Sequence, residues 1–225
     1  MNVSIIVFPG SNCDLDIFNS ILSITNIKPK LIWHDEYIPK NTDLIILPGG
    51  FSFGDYLRSG AIASTSKIVK QVYQLSKKGL PILGICNGFQ ILTEANLLPG
   101  TLMLNKNLKF VCKEVKLKII NNTSIFTKKI NQEVIELPIA HKMGNYTISN
   151  EGLNEVINKD QIAFKYCSSQ GICGEKNNPN GSIQNIAGIL SENKRVLGMM
   201  PHPERFKSLR SKDIIMRQII SSMQC

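Results

Sequence analysis

The sequence predicts an α/β fold built on a parallel, doubly wound sheet. Three observations carry this. Short apolar runs recur through the first hundred residues, at 3–8, 43–47 and 81–85. Segments of helical apolar spacing fall between them. Three runs, those ending near 47, 85 and 200, lead straight into turns rich in glycine or proline, where open α/β sheets place their ligands.

The elements follow in order. Asn2-Val3-Ser4-Ile5-Ile6-Val7-Phe8 carries no basic leader and is too short for a signal core, so 3–8 is expected to be the first strand. A helix is predicted near 13–25, then strands at 30–34 and 43–47, a helix near 65–78, a strand at 81–85 and a helix at 87–95. Strands that alternate with helices pair in parallel, because each return needs a crossover. Beyond residue 100 strands dominate, near 108–120, 133–140, 161–166, 185–190 and 195–200, and a helix near 209–223 closes the chain. Residues 167–182, with Gly171, Gly174, Pro179 and Gly181, read as a loop insertion. No repeat or linker divides the chain, so residues 1–225 are expected to form a single domain.

Composition narrows the function classes. No stretch approaches the ~20 apolar residues of a membrane span. Net charge is +9, from 26 basic and 17 acidic residues, but the lysines are scattered and no nucleic-acid motif accompanies them. Neither a nucleic-acid nor a membrane partner is expected. Six cysteines without a C-x-x-C pair argue against a disulfide framework and against a metal site. A reducing cytoplasm is the expected compartment.

Leu83 to Gln90 read LGICNGFQ, and Cys86 falls where the strand meets the following helix. So sharp a turn needs neighbours without side chains, and Gly84 and Gly88 supply them, as in the elbow of α/β hydrolases. A helix N-terminus there favours negative charge on an attached nucleophile. Cys13, Cys112, Cys167, Cys173 and Cys225 lack such a setting and are expected to be inert packing. Pro201 to Arg205 read PHPER. Pro201 and Pro203 bar helix, so His202 and Glu204, two apart on an extended segment, face one side. Cys86, His202 and Glu204 are thus a candidate nucleophile, base and orienting acid. Leu44 to Phe51 read LIILPGGF, another strand ending in glycines, whose amides could add an oxyanion donor.

G-x-C-x-G-x-Q with a late H-x-E resembles the class I, triad-type glutamine amidotransferases. FPGSNCD (8–14), PGGFSFGDYLRSGAIA (48–63), CNGFQIL (86–92), LLPG (97–100), NKNLKFVC (105–112) and GMMPHPER (198–205) narrow the likeness to the glutaminase subunits of phosphoribosylformylglycinamidine synthase. The likeness runs from residue 3 to about 206. It implies a three-layer, flavodoxin-like fold with a mixed, largely parallel central sheet. It implies catalysis by Cys86, His202 and Glu204, oxyanion donors at Gly50 and Asn87, and glutamine binding by Gly49, Phe51, Gln90 and His141. It implies no cofactor in this chain, with ATP and Mg²⁺ used by a partner synthetase subunit, and a small third bridging subunit. No Walker A loop is found, which fits that division of labour. The chain departs from the family pattern AHGEGN at Lys142-Met143, and Ser59 stands where relatives often have cysteine. Alternatives are a glutaminase serving another synthetase, a cysteine hydrolase with a similar elbow, and a non-catalytic regulatory subunit.

Overall fold

The computed structural model describes residues 1–205 and 212–223. The elements are β1 (Val3–Val7), α1 (Asp14–Thr25), β2 (Lys30–Trp33), β3 (Leu44–Leu47), α2 (Ala61–Ser64), α3 (Lys67–Lys77), β4 (Ile82–Ile85) and α4 (Asn87–Glu94). They continue with β5 (Thr101–Met103), β6 (Val111–Ile119), β7 (Val134–His141), β8 (Asn145–Thr147), α5 (Asn150–Asn158), β9 (Ile162–Cys167), β10 (Ile186–Leu190), β11 (Val196–Met199) and α6 (Lys212–Ser222).

Nine strands form one mixed sheet in the order β2-β1-β3-β4-β11-β10-β9-β6-β7. From β2 to β11 the pairs are parallel, and from β11 to β7 they are antiparallel. The apolar runs explain the parallel half. β3, β4 and β11 are buried at every residue, as strands covered on both faces must be. β2 buries only Ile32 and forms an edge. Five of the six described helices fall into two touching groups, α1 with α6, and α2 with α3 and α4. The sheet lies between them, in the helix–sheet–helix arrangement that the sequence predicts. No helix among the described residues is long and apolar enough to cross a membrane.

Two features depart from the sequence reading. Residues 150–158 are helical, capped by Ser149, whose side chain accepts from Gly152 N. Only Val156 of this helix is buried, so its apolar period is too faint to read. β5 and β8 pair as a small separate sheet. The predicted last helix is present from Lys212; its expected beginning at 209–211 and the packing assigned to Cys225 lie outside the described residues.

The antiparallel half matters because it comes back to the parallel one. β7 is an edge strand with Pro138 in it, tolerated there because an edge residue can lack a donor. The Pro138 carbonyl accepts from His202 N at 2.9 Å. The Cys86 thiol points at the Ala140 carbonyl, 3.9 Å away. The sheet edge thus reaches the ends of β4 and β11.

Candidate active site

β3, β4 and β11 are neighbours, and their carboxyl ends deliver Gly49-Gly50, Cys86 and His202 to one place. Cys86 sits at φ 51 and ψ −104, a conformation that costs a non-glycine residue on the order of 1–3 kcal/mol. Its surroundings enforce it. Cys86 N donates to Met199 O at 2.8 Å, and its own carbonyl accepts from Gln90 N at 3.1 Å. A Cβ on Gly84 would come within 2.7 Å of Gly88 O, and one on Gly88 within 2.8 Å of Leu47 Cβ. The two glycines let β4, α4 and β3 approach closely enough to make the elbow.

His202 and Glu204 are 1% and 3% exposed. Glu204 Oε1 accepts from His202 Nδ1 at 2.7 Å, so the extended Pro-flanked segment does put both side chains on one side. The same bond fixes the tautomer and turns Nε2 the other way, where it is buried without a partner. Burial alone would lower the imidazole pKa. The charges of Glu204 and Cys86 outweigh it and hold His202 well above its ordinary value.

Beside Cys86 opens a cavity of about 290 Å³, lined by Gly50, Phe51, Gln90 and His141 among others. Gly49 sits instead between the sulfurs and the imidazole: a Cβ there would lie 2.8 Å from His202 Cε1 and 3.5 Å from Cys86 Cβ. Gln90 is tied at both ends, accepting from Asn87 Nδ2 at 2.8 Å and donating to Met143 O at 2.6 Å. The Asn87 side chain does more than the sequence indicated. Its Oδ1 accepts from Ser52 N at 3.1 Å and its Nδ2 donates to Asp55 Oδ1 at 3.3 Å. It thereby clamps the elbow to a turn in which Phe53, Asp55 and Leu57 all have positive φ. Burial raises the Asp55 pKa against the opposing hydrogen bonds of Ser59 and Asn87.

His141 is 3% exposed, and its Nδ1 meets Asn105 Oδ1 at 3.1 Å. Asn105 Oδ1 also accepts from Gly144 N, and Asn105 Nδ2 donates to His141 O. The ring leaves no room for a side chain at Gly144. Burial first, then the His202 charge, lowers the His141 pKa from 6.5 to about 4. The sign of the consequence follows. Below pH 6.5 the unfolded chain protonates while the fold resists until about pH 4. The contribution of a neutral His141 is therefore present above 6.5 and lost as pH falls towards 4. His141→Gln is expected to flatten the unfolding midpoint against pH in that window; an unchanged slope would assign it to other groups.

The family departures meet one another. Ser59 Oγ donates to Met143 Sδ at 3.3 Å, and Met143 O receives Gln90. The 167–182 loop is also part of the site's support. Asn180 Nδ2 and Ser182 Oγ both donate to Gly144 O, at 2.7 and 3.2 Å, and so brace the turn after His141.

The cysteines divide unexpectedly. Cys112 and Cys173 are exposed rather than packed, and Cys167 is buried. Cys13, expected to be inert, lies against His202 and Glu204, with one candidate ligand atom of each within 4.8 Å of the others. A cation there would compete with Arg205, which already donates to the sulfur. The signal missed was topological: Cys13 follows β1, whose carboxyl end lies on the same sheet edge.

Comparison with known proteins agrees with this geometry. Residues 1–223 match the family described as CobB/CobQ-like glutamine amidotransferase domain. The chain is 49% identical over 205 residues to phosphoribosylformylglycinamidine synthase subunit PurQ of Pelagibacter ubique, covering 91% of this chain and 90% of that one. It is 46% identical over 206 residues to the PurQ subunit of Chlorobaculum parvum, covering 91% and 82%. Among solved structures it superposes on a chain of PurLQS from Thermotoga maritima with a TM-score of 0.84, at 38% identity, covering 99% of this chain and 97% of that one. Elbow, buried His–Glu pair and full-length likeness coincide, and the chain belongs to the glutamine amidotransferase domain family, in the branch that holds the PurQ subunits of phosphoribosylformylglycinamidine synthase.

Proposed function

We propose that the chain hydrolyses glutamine and passes the ammonia to a synthetase subunit, which uses ATP and Mg²⁺ to convert formylglycinamide ribonucleotide to formylglycinamidine ribonucleotide. The observation that carries this is the strained Cys86 elbow beside the buried His202–Glu204 pair, at the rim of a cavity sized for an amino acid.

Cys86 Sγ attacks the side-chain amide carbon of glutamine. The tetrahedral oxyanion is received by the amides of Gly50 and Asn87. His202 Nε2 gives its proton to the departing nitrogen, and ammonia leaves behind a γ-glutamyl thioester. His202, now neutral, takes a proton from water, which attacks the thioester and releases glutamate and the Cys86 sulfur. Glu204 holds Nδ1–H throughout and balances the imidazolium. Phe51, Gln90 and His141 shape the cavity around the substrate, and Gly49 leaves space for His202 beneath it. A single domain over 1–225 in a reducing cytoplasm suits a free thiol nucleophile.

The same loop supports a partner. Phe51, Tyr56 and Leu57 are 47%, 73% and 93% exposed on the loop that borders the cavity, with Leu104 and Phe110 half exposed across from it. An apolar rim fits a surface that closes over the mouth and keeps ammonia from water. The solved relative is described as PurLQS, which supports a synthetase subunit and a small third subunit as partners. Leu57→Glu is expected to weaken glutamine-dependent synthesis by the assembled enzyme ~10-fold or more. Labelling of Cys86 by a glutamine-analogue electrophile should survive in the isolated variant. Undiminished synthesis would remove Leu57 from the interface.

The deciding experiment mixes the chain with its synthetase partners, ATP, Mg²⁺ and formylglycinamide ribonucleotide. Amidine formed from glutamine supports the reading. Amidine formed from ammonium chloride but never from glutamine would leave a subunit of the right assembly without glutaminase activity.

A further inference from the structure

The triad is gripped from behind by groups that the reaction scheme does not use. Cys13 lies just ahead of α1 and is 1% exposed. Its Sγ accepts from Arg205 Nη2 at 3.0 Å. Arg205 Nε donates to Asp16 Oδ2 at 3.3 Å, three residues further along. The start of α1 therefore holds both arms of a guanidinium that belongs to the residue after Glu204. On the other side of the sulfur stands the imidazole. A Cβ on Gly49 would lie 2.9 Å from Cys13 Sγ and 2.8 Å from His202 Cε1, so the thiol fills the space that sets the depth of the ring.

The charges point the same way. Glu204 Oε2 is buried without a hydrogen-bond partner. His202 pairs with Oε1, and Arg205, the next residue, adds a second positive charge whose field reaches the carboxylate. Burial works against the guanidinium charge, but Cys13, Glu204 and Asp16 more than offset it and raise the Arg205 pKa. Neither Cys13 nor Arg205 lines the cavity beside Cys86.

We propose that Cys13 and Arg205 are positioning residues for glutamine hydrolysis, acting as one unit that seats the His202 imidazole and balances the Glu204 carboxylate. The inference rests on the glutaminase reading above. It asks nothing of substrate contact, so it should appear in kcat and in pH dependence rather than in KM.

The test uses the full chain assembled with its synthetase partners. Cys13→Ala is expected to lower kcat for glutamine ~10-fold with KM within ~2-fold, because a small displacement of a base is expensive in rate. Cys13→Ser, which restores an acceptor of similar size, should recover most of it. Arg205→Gln should cost ~10–100-fold. Loss of a nearby cation favours the protonated imidazole and disfavours the thiolate, so its pH profile should move to higher pH. The double variant Cys13→Ala/Arg205→Gln should be no worse than Arg205→Gln alone, as for groups acting through one contact. Ammonium-driven synthesis should match wild type in all of them. Wild-type kcat and pH profile in both single variants would overturn the inference, as would losses that multiply in the double variant. A parallel fall in ammonium-driven synthesis would assign the pair to structure alone and overturn it too. A wild-type chain that makes no amidine from glutamine would overturn the glutaminase reading itself, whereas an active wild type with indifferent variants overturns only this inference.

Discussion

Cys86→Ala is expected to abolish glutamine-dependent amidine synthesis, by at least ~10⁴-fold, while synthesis driven by ammonium chloride continues. In the proposed mechanism the thiol is the group that bonds to the substrate, and no other cysteine among the described residues is placed to replace it. Cys13 is turned to Arg205 behind the imidazole, and among the described cysteines Cys86 alone borders the cavity. The structure adds a second, opposite outcome. Cys86 is held at φ 51, where a Cβ is strained and glycine is not. Cys86→Gly should be equally inactive but more stable than Cys86→Ala, by about 1 kcal/mol in denaturant unfolding. Loss of ammonium-driven synthesis together with glutamine use would mean that Cys86 is structural. Equal stability of the two variants would mean that the elbow holds no strain.

Gly88→Ala should be the most damaging single methyl in the site. The added Cβ would collide with the backbone of Leu47, with Leu47 C at 2.7 Å and Leu47 Cβ at 2.8 Å. Leu47 cannot retreat, since it is paired across to Gly84 in the middle of the parallel half. α4 must therefore lift off β3, and it carries Asn87 and Gln90 with it. Overpacking of this kind costs about 2–4 kcal/mol, or ~5–15 °C in Tm for a chain of this size. A shift near 1 Å at the elbow would cost ~10²-fold in glutamine use. A Gly88→Ala chain with wild-type Tm and activity would show that α4 is not held against β3 in the way described. Gly84→Ala would press on the same helix, because besides Leu92 Cδ1 its Cβ would meet the Gly88 backbone, with O at 2.7 Å and C at 2.8 Å.

Different residues show where sequence reasoning succeeds and where it stops. The elbow was legible because Gly84 and Gly88 act within four residues of Cys86, by steric rules that hold in any fold. His202 and Glu204 were legible for the same kind of reason: two prolines fix an extended path, and two residues along it face one way. The alternation of strands and helices up to residue 95 was legible because parallel, doubly covered strands are apolar throughout. α5 was not, since a nine-residue helix burying only Val156 leaves almost no periodic trace. The chemistry of Asn87 was half legible. Its backbone amide follows from its place after Cys86, but its side-chain clamp to Ser52 and Asp55 depends on where the glycine-rich loop folds back.

The sequence by itself determined the local devices of this protein: a sharp strand-to-helix turn at Cys86, a rigid loop presenting His202 and Glu204, and glycines at 49 and 50 where a backbone must come close. Each is set by the backbone sterics of a few adjacent residues. The tertiary structure alone decided which distant groups join them. It brought β7 back across the ends of β4 and β11, so that Pro138 holds the His202 backbone and His141 enters the cavity. It turned the 167–182 segment into a brace for the turn after His141. Among the remaining described cysteines it placed Cys13 beside His202 and Glu204. These choices follow from strand order and long-range pairing. Those depend on how the whole core closes around the sheet, and no local pattern of residues encodes them.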